Sequence, residues 1–238
     1  MAITNVVSSS IAREVPEGIY QRVGPEISVA STKAFSSQVT ILLMLAVALG
    51  RKRDMNALEA KRYINQIRRI PELMEQALLL NDAMSRLGNV YHKSTSLDFL
   101  GRQYMYPIAL EGALKLKELT YCDSHAYPSG EIKHGPLALV WRGRRHLFLA
   151  PQETLKDKNI SNIKEIMSRN GDVFLLKQKG QEFPEDDYRE IIEIPKCKDF
   201  LLPIISVIPL QLLAMHMAKA KGHNVDKPRN LAKSVTVE

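Results

Sequence analysis

Glu111, Lys115 and Glu118 stand at i, i+4 and i+7. At about 100° of turn per residue they fall within a sector of about 60° on one helix face. A carboxylate beside an ammonium is favoured in its charged form and can act as a general base. The same spacing describes an exposed Glu–Lys–Glu stripe, in which each pair contributes only about 0.3 kcal/mol. Glu131, Lys133 and His134 form a second group, held between breakers in Pro128-Ser-Gly-Glu-Ile-Lys-His-Gly-Pro136. A constrained imidazole can relay a proton near neutral pH, although a single His is also a common structural or surface residue. Ser28-Val-Ala-Ser-Thr-Lys-Ala-Phe35 reads as a helix start. Its free amides and hydroxyls suit a sugar or a phosphate, and equally an ordinary N-cap.

The fourth group is the tail, residues 223–238, with Lys227, Arg229 and Lys233 spread over an arm that Pro228 keeps extended. Spaced cations on such an arm can reach an anionic ligand. A fraying basic terminus is the other reading, against which stand the apolar Leu231, Val235 and Val237.

The elements that must position these groups divide the chain. The first thirty residues read as turns with a strand-like Ile19–Val23. Ser31–Gly50 lacks Pro and internal Gly, is rich in Leu, Met and Ala, and predicts a long buried helix capped by Ser31 or Thr32. Helices over about 56–70 and 72–87 follow, meeting at Pro71. From Gly88 the pattern predicts strands at 97–101, 146–150, 173–177 and 191–194, and helices at 106–120, 159–168 and 203–221. This alternation argues for an α/β fold with a parallel sheet covered by helices, with ligands beyond the carboxyl ends of the strands.

The chain has 238 residues, of which 45% are hydrophobic, enough for a buried core. Cys122 and Cys197 have neither metal-ligand spacing nor the makings of a disulfide framework, which suits a reducing cytoplasm. The apolar stretches Val39–Gly50 and Phe200–Met215 fall short of the roughly 20 residues of a membrane span and read as buried helices, so no membrane is expected. With 33 Lys and Arg against 26 Asp and Glu, the net charge of +7 admits phosphorylated metabolites, acidic lipid or nucleic acid as partners. No aromatic-interleaved RNA motif or zinc finger accompanies the basic clusters, so nucleic acid is not expected.

Taken together, Val29-Ala-Ser-Thr-Lys-Ala-Phe35, Tyr106-Pro-Ile-Ala-Leu-Glu-Gly-Ala-Leu-Lys-Leu-Lys-Glu118, Gly130-Glu-Ile-Lys-His-Gly-Pro-Leu-Ala-Leu139, Pro209-Leu-Gln-Leu-Leu-Ala214 and Pro228-Arg-Asn-Leu-Ala-Lys-Ser-Val-Thr-Val-Glu238 carry a resemblance over nearly the whole chain. The sequence resembles the sugar-isomerising half of the glucosamine-6-phosphate synthases, the glutamine–fructose-6-phosphate aminotransferases. The resemblance implies an SIS-type αβα sandwich: the end of a first module with connecting helices over 1–87, a complete second module over 88–222, and an active-site tail over 223–238. It implies that Lys233 forms a Schiff base with fructose 6-phosphate and that Glu118 moves a proton between C1 and C2. It implies that Lys115 assists that transfer and Glu111 supports it. It also implies a homodimer in which His134, from the partner subunit, serves ring opening. Val29, Ser31 and Ala232 match sugar contacts, Arg229 matches an anchor of the tail, and no cofactor is implied.

Departures accompany the match. Ser28 stands where the family usually has Gly. The Ser-Gln-Ser-Gly-type phosphate loop, the Gly-Thr-Ser loop and the glutaminase domain have no counterpart in this sequence. The expectation is therefore a portion of the enzyme that is inactive by itself, with a non-catalytic sugar-phosphate-binding SIS module as the alternative.

Overall fold

The structure is a computed structural model and describes residues 1–233. Val235 and Val237 lie outside the described residues. The chain gathers into two compact units, Met1–Arg69 together with the chain from Asp226 onward, and Ile70–Val225.

In the first unit, β1 (Ala2–Thr4) and α1 (Ser10–Glu14) precede β2 (Gly18–Tyr20), and β1 and β2 pair in parallel. The strand expected at Ile19–Val23 is thus shorter and earlier, and α1 was hidden among apparent turns. Its cap is legible in retrospect, because the Ser9 hydroxyl accepts from the Ala12 N–H. Next come α2 (Lys33–Arg51) and α3 (Ala57–Ile67). A capping box opens α3, with Asn56 and Glu59 each accepting from the other's backbone N–H.

The expectation that α2 is buried is contradicted. Only Ser36 and Val47 on it are buried, and Leu42, Met44 and Leu49 are 55%, 54% and 60% exposed. Apolar density shows that a helix needs cover, but cover comes from other elements, and among the described residues of this unit only α3 packs extensively against it. By length and composition α2 and the helical run Asp199–Ala220 are both long and apolar enough to cross a membrane. The second is mostly buried in its own unit. The uncovered face of α2 is expected to bind a hydrophobic dye such as ANS, with the signal falling several-fold in Leu42→Lys/Met44→Lys. Unchanged dye binding in that variant would show that the face is covered in solution.

The second unit begins with α4 (Ile70–Leu78) and α5 (Asn81–Tyr91). A single helix was expected over 72–87. It is broken at Leu79 and Leu80, where no Gly or Pro marks the break, and Pro71 sits in the first turn of α4 as expected. The rest alternates: β3 (Ser96–Gly101), α6 (Met105–Thr120), β4 (Asp123–Pro128), β5 (Arg145–Leu149), α7 (Lys156–Met167), β6 (Asp172–Gln178), β7 (Glu190–Ile194) and α8 (Leu202–Ala220). The five strands β3–β7 form one parallel sheet in the order β4-β3-β5-β6-β7. The edge strand β4 was missed because Asp123-Ser-His-Ala-Tyr-Pro128 carries no apolar run.

Side chains alternate across the sheet with the strand period of two. Leu100, Phe148, Val173 and Leu175 pack with Ile163 and Ile166 of α7 on one face. On the other, Phe99 meets α6 so closely that a Cβ at Gly112 would lie 2.9 Å from its ring and 2.8 Å from Leu210 of α8. Helices therefore lie on both faces, the three-layer αβα arrangement. Gly101 ends β3 at the turn into α6, and a side chain there would collide with the Met105 carbonyl at 2.3 Å. That tight turn fixes where α6 starts and so where its charged face falls.

A buried charge cluster joins β3 to β5. Arg144 donates to both carboxylate oxygens of Asp98 at 2.8 and 3.2 Å, and His146 Nδ1 lies 3.4 Å from Asp98. Burial pushes the His146 pKa down to about 4, against the opposing pull of Asp98. The folded state therefore holds the neutral ring. The unfolded chain binds the proton below the ordinary value near 6.5, so stability is lost as pH falls from there through about 4, by up to ~3 kcal/mol from this group. NMR titration is expected to show a neutral His146 ring down to pH about 5; a midpoint at the ordinary histidine value would refute this.

Candidate active site

On α6, Lys115 is 2% exposed. Its Nζ lies 2.6 Å from Glu118 Oε2, which accepts its hydrogen bond, and 3.7 Å from Glu111 Oε1. This excludes the exposed-stripe reading. A surface pair would leave the lysine in water, whereas here desolvation requires the two carboxylates. The helix is buried on several sides because it covers β3 and β4 and packs against α8. The carboxylates differ: the Glu118 side chain is 22% exposed and that of Glu111 10%. Glu118 is thus the better placed of the two to meet a ligand, with Lys115 and Glu111 behind it.

His134 ends a 3-10 turn, Ser129–His134, that follows β4 at the carboxyl end of the sheet. Its side chain is 75% exposed, and Nε2 lies 3.7 Å from Glu131. Lys133 is tied instead to Glu165 of α7 at 2.9 Å, which braces the turn. Gly135 follows at φ 142°, a conformation that favours glycine and reverses the chain before Pro136. The imidazole is thus presented outward on a held turn.

In the first unit the tail returns to the segment before α2. The Lys233 ammonium donates to the Ser28 carbonyl at 2.7 Å, the Val29 carbonyl at 3.2 Å and Glu26 Oε2 at 3.2 Å. The Val29 N–H donates to the Asp226 carbonyl at 3.1 Å. A frayed tail is therefore contradicted as far as Lys233. All three of these Lys233 partners are oxygen acceptors. Pro228 is buried, and Arg229, Ala232 and Lys233 are exposed.

Glu26 was not anticipated. Its Oε1 accepts from the Thr32 N–H at 3.0 Å, the Ala34 N–H at 3.2 Å and the Ser31 hydroxyl at 3.2 Å. It thereby takes the capping role expected of Ser31 or Thr32, since the Thr32 side chain caps nothing. Burial pushes the Glu26 carboxyl up, but the two amides and Lys233 outweigh it and hold the group below the usual carboxylate range. One carboxylate thus joins the start of α2 to the tail amine. An acid just upstream of an uncapped helix start is the signal that could have found it.

Residues 90–220 match the family model described as SIS domain. The chain is 46% identical over 239 aligned residues to an isomerizing glutamine–fructose-6-phosphate aminotransferase of Bacteroides thetaiotaomicron, covering 99% of this chain and 39% of that protein. It is 43% identical over 238 residues to the isomerizing glutamine–fructose-6-phosphate aminotransferase of Chlorobaculum tepidum, covering all of this chain and 39% of that protein. Among solved structures, the C-terminal domain of glucosamine-fructose-6-phosphate aminotransferase from Francisella tularensis superposes with a TM-score of 0.92 at 38% identity, covering 94% of this chain and 64% of that one. The chain thus spans about two fifths of the length of the curated relatives it matches.

Proposed function

Because the chain belongs to the SIS domain family, we propose that it is the sugar-isomerising portion of a glutamine–fructose-6-phosphate aminotransferase. The observation that carries this reading is the buried Lys115 clamped between Glu111 and Glu118, an arrangement with a cost that a surface helix has no reason to bear. Lys233 adds to the C2 ketone of open-chain fructose 6-phosphate and, with loss of water, gives an imine that is more open to attack by ammonia than the ketone, and the C2 imine that ammonia then forms acidifies the C1 hydrogens. Ammonia takes the place of Lys233 at C2, the amine leaves unchanged, and Glu118 moves a proton from C1 to C2 to give the amino aldose. Lys115 holds Glu118 in place, and Glu111 sits behind Lys115. Glu26 parks the amine between cycles at the Ser28 and Val29 carbonyls, beside Ser31 and Ala232 as sugar contacts, while Arg229 anchors the tail.

On this reading the chain divides into 1–87, 88–222 and 223–238, works in the cytoplasm as a homodimer, and offers the exposed His134 to its partner's site. The phosphate-binding loops and ammonia source lie in the remaining part of the enzyme, which also covers α2, and the chain alone forms no glucosamine 6-phosphate. The test is a chimera in which this chain replaces the matching 39% of the Chlorobaculum tepidum relative. It is expected to form glucosamine 6-phosphate from fructose 6-phosphate and glutamine. A folded chimera that binds fructose 6-phosphate but forms none would leave only a binding module.

A further inference from the structure

We infer that Arg102 is a positioning residue for His134: it links the start of α6 to α7 and to the turn Ser129–His134, and so fixes where the imidazole stands. The inference rests on the assignment of ring opening to His134. Opening the furanose of fructose 6-phosphate breaks the bond between C2 and the ring oxygen; the C2 hydroxyl gives up its proton as the ketone forms, and the ring oxygen takes one up. A group that relays either proton must stand within about 3 Å of the oxygen concerned.

The His134 ring does not supply that precision itself. Its side chain is 75% exposed, and its ionic neighbour Glu131, at 3.7 Å, is 66% exposed. The backbone of the turn must therefore be held, and α7 holds it along one face. Ile132 is buried and packs with Ile163 and Ile166, the Ser129 hydroxyl donates to Asn159 Oδ1 at 3.5 Å, and Lys133 pairs with Glu165.

Arg102 adds a tie from α6. Its carbonyl accepts from the Met105 N–H at 2.9 Å in the turn that begins that helix, which fixes its backbone. Its Nη2 donates to Asn162 Oδ1 at 2.8 Å, and Asn162 Nδ2 donates to Glu165 Oε2 at 3.3 Å. The buried Asn162 amide is thus oriented from both ends, and the other oxygen of Glu165 meets Lys133. Arg102, Asn162, Glu165 and Lys133 therefore form one chain of contacts that ends on the residue before His134. The guanidinium also packs against the turn directly: a Cβ on Gly130 would stand 3.1 Å from Nη2, 3.2 Å from Nη1 and 3.3 Å from Cζ. A planar group with several fixed donors serves both contacts at once, and a point-like ammonium does not.

Two measurements test this. In the chimera, Arg102→Ala is expected to lower glucosamine 6-phosphate formation from fructose 6-phosphate at least about tenfold, while turnover of 5-deoxyfructose 6-phosphate stays within about twofold of the unmodified chimera. The deoxy ketose lacks the hydroxyl that closes the furanose, so it needs no ring opening. Arg102→Lys is expected to match the alanine variant, and Gly130→Ala, which leaves every donor in place but displaces the guanidinium, to show the same selective loss in smaller degree. Equal losses on both ketoses, or no loss on either, would overturn the inference. In the chain itself, NMR order parameters of the Lys133 and His134 backbone amides are expected to fall from about 0.85 to about 0.6 in Arg102→Ala, with those of β5 and β6 unchanged. Unchanged values at Lys133 and His134 would overturn the inference whatever the chimera does. A loosened turn beside an unmodified chimera inactive on both ketoses would instead refute the isomerase reading, with Arg102 still shown to hold the turn.

Discussion

Lys233→Ala in the chimeric enzyme is expected to lower glucosamine 6-phosphate formation by at least about 1000-fold, because no other group then forms the reactive imine at C2 that ammonia displaces. Loss of the side chain also frees Glu26 Oε2 and the Ser28 and Val29 carbonyls. The Lys233 side chain is 46% exposed and Glu26 keeps its contacts with Ser31, Thr32 and Ala34, so the variant is expected to fold and still bind sugar phosphate. Lys233→Arg separates charge from chemistry: it keeps a cation beside Glu26 but cannot form the imine, and it is expected to be as inactive as the alanine variant. Activity restored by arginine would make Lys233 an electrostatic anchor, and the tail would then hold the site together without entering the reaction.

Glu118→Gln is expected to lower formation by about 100-fold or more while substrate binding persists. The amide keeps the shape of the carboxylate and can still accept from Lys115, now 2.6 Å from Glu118 Oε2, but it cannot take a proton from carbon. Lys115 would retain Glu111 as its carboxylate partner. Solvent deuterium exchange into C1 and C2 of the sugar reads the step directly. Exchange at the wild-type rate in Glu118→Gln would mean that another base carries the proton, and the more enclosed Glu111 would be the first alternative.

Much of this arrangement is legible in the chain. The strand and helix alternation after Gly88 gives the parallel sheet because apolar runs of strand length, punctuated by turn residues, have few other ways to bury both faces. The charged face of α6 follows from spacing alone, since i, i+4 and i+7 stack on any helix. Its burial does not, because that depends on β3, β4 and α8 lying against it. The same gap between pattern and packing misled the reading of α2, whose Leu and Met density predicts a covered helix while its unit leaves Leu42, Met44 and Leu49 exposed. The break at Leu79 and Leu80 has no Gly or Pro to announce it. β4 is an edge strand whose polar residues resemble a loop. Glu26 escaped because its two partners are the start of α2, six to eight residues on, and Lys233, 207 residues away. Only the folded chain brings the three together.

The central claim is that Lys233 forms an imine with fructose 6-phosphate. Borohydride reduction of the chimera in the presence of fructose 6-phosphate, followed by peptide mass spectrometry, tests it most directly. The account predicts the reduced sugar adduct on Lys233, dependent on both sugar and borohydride, and lost in Lys233→Arg. An adduct on a different lysine with Lys233 unmodified, in an enzyme that still makes glucosamine 6-phosphate, would contradict it.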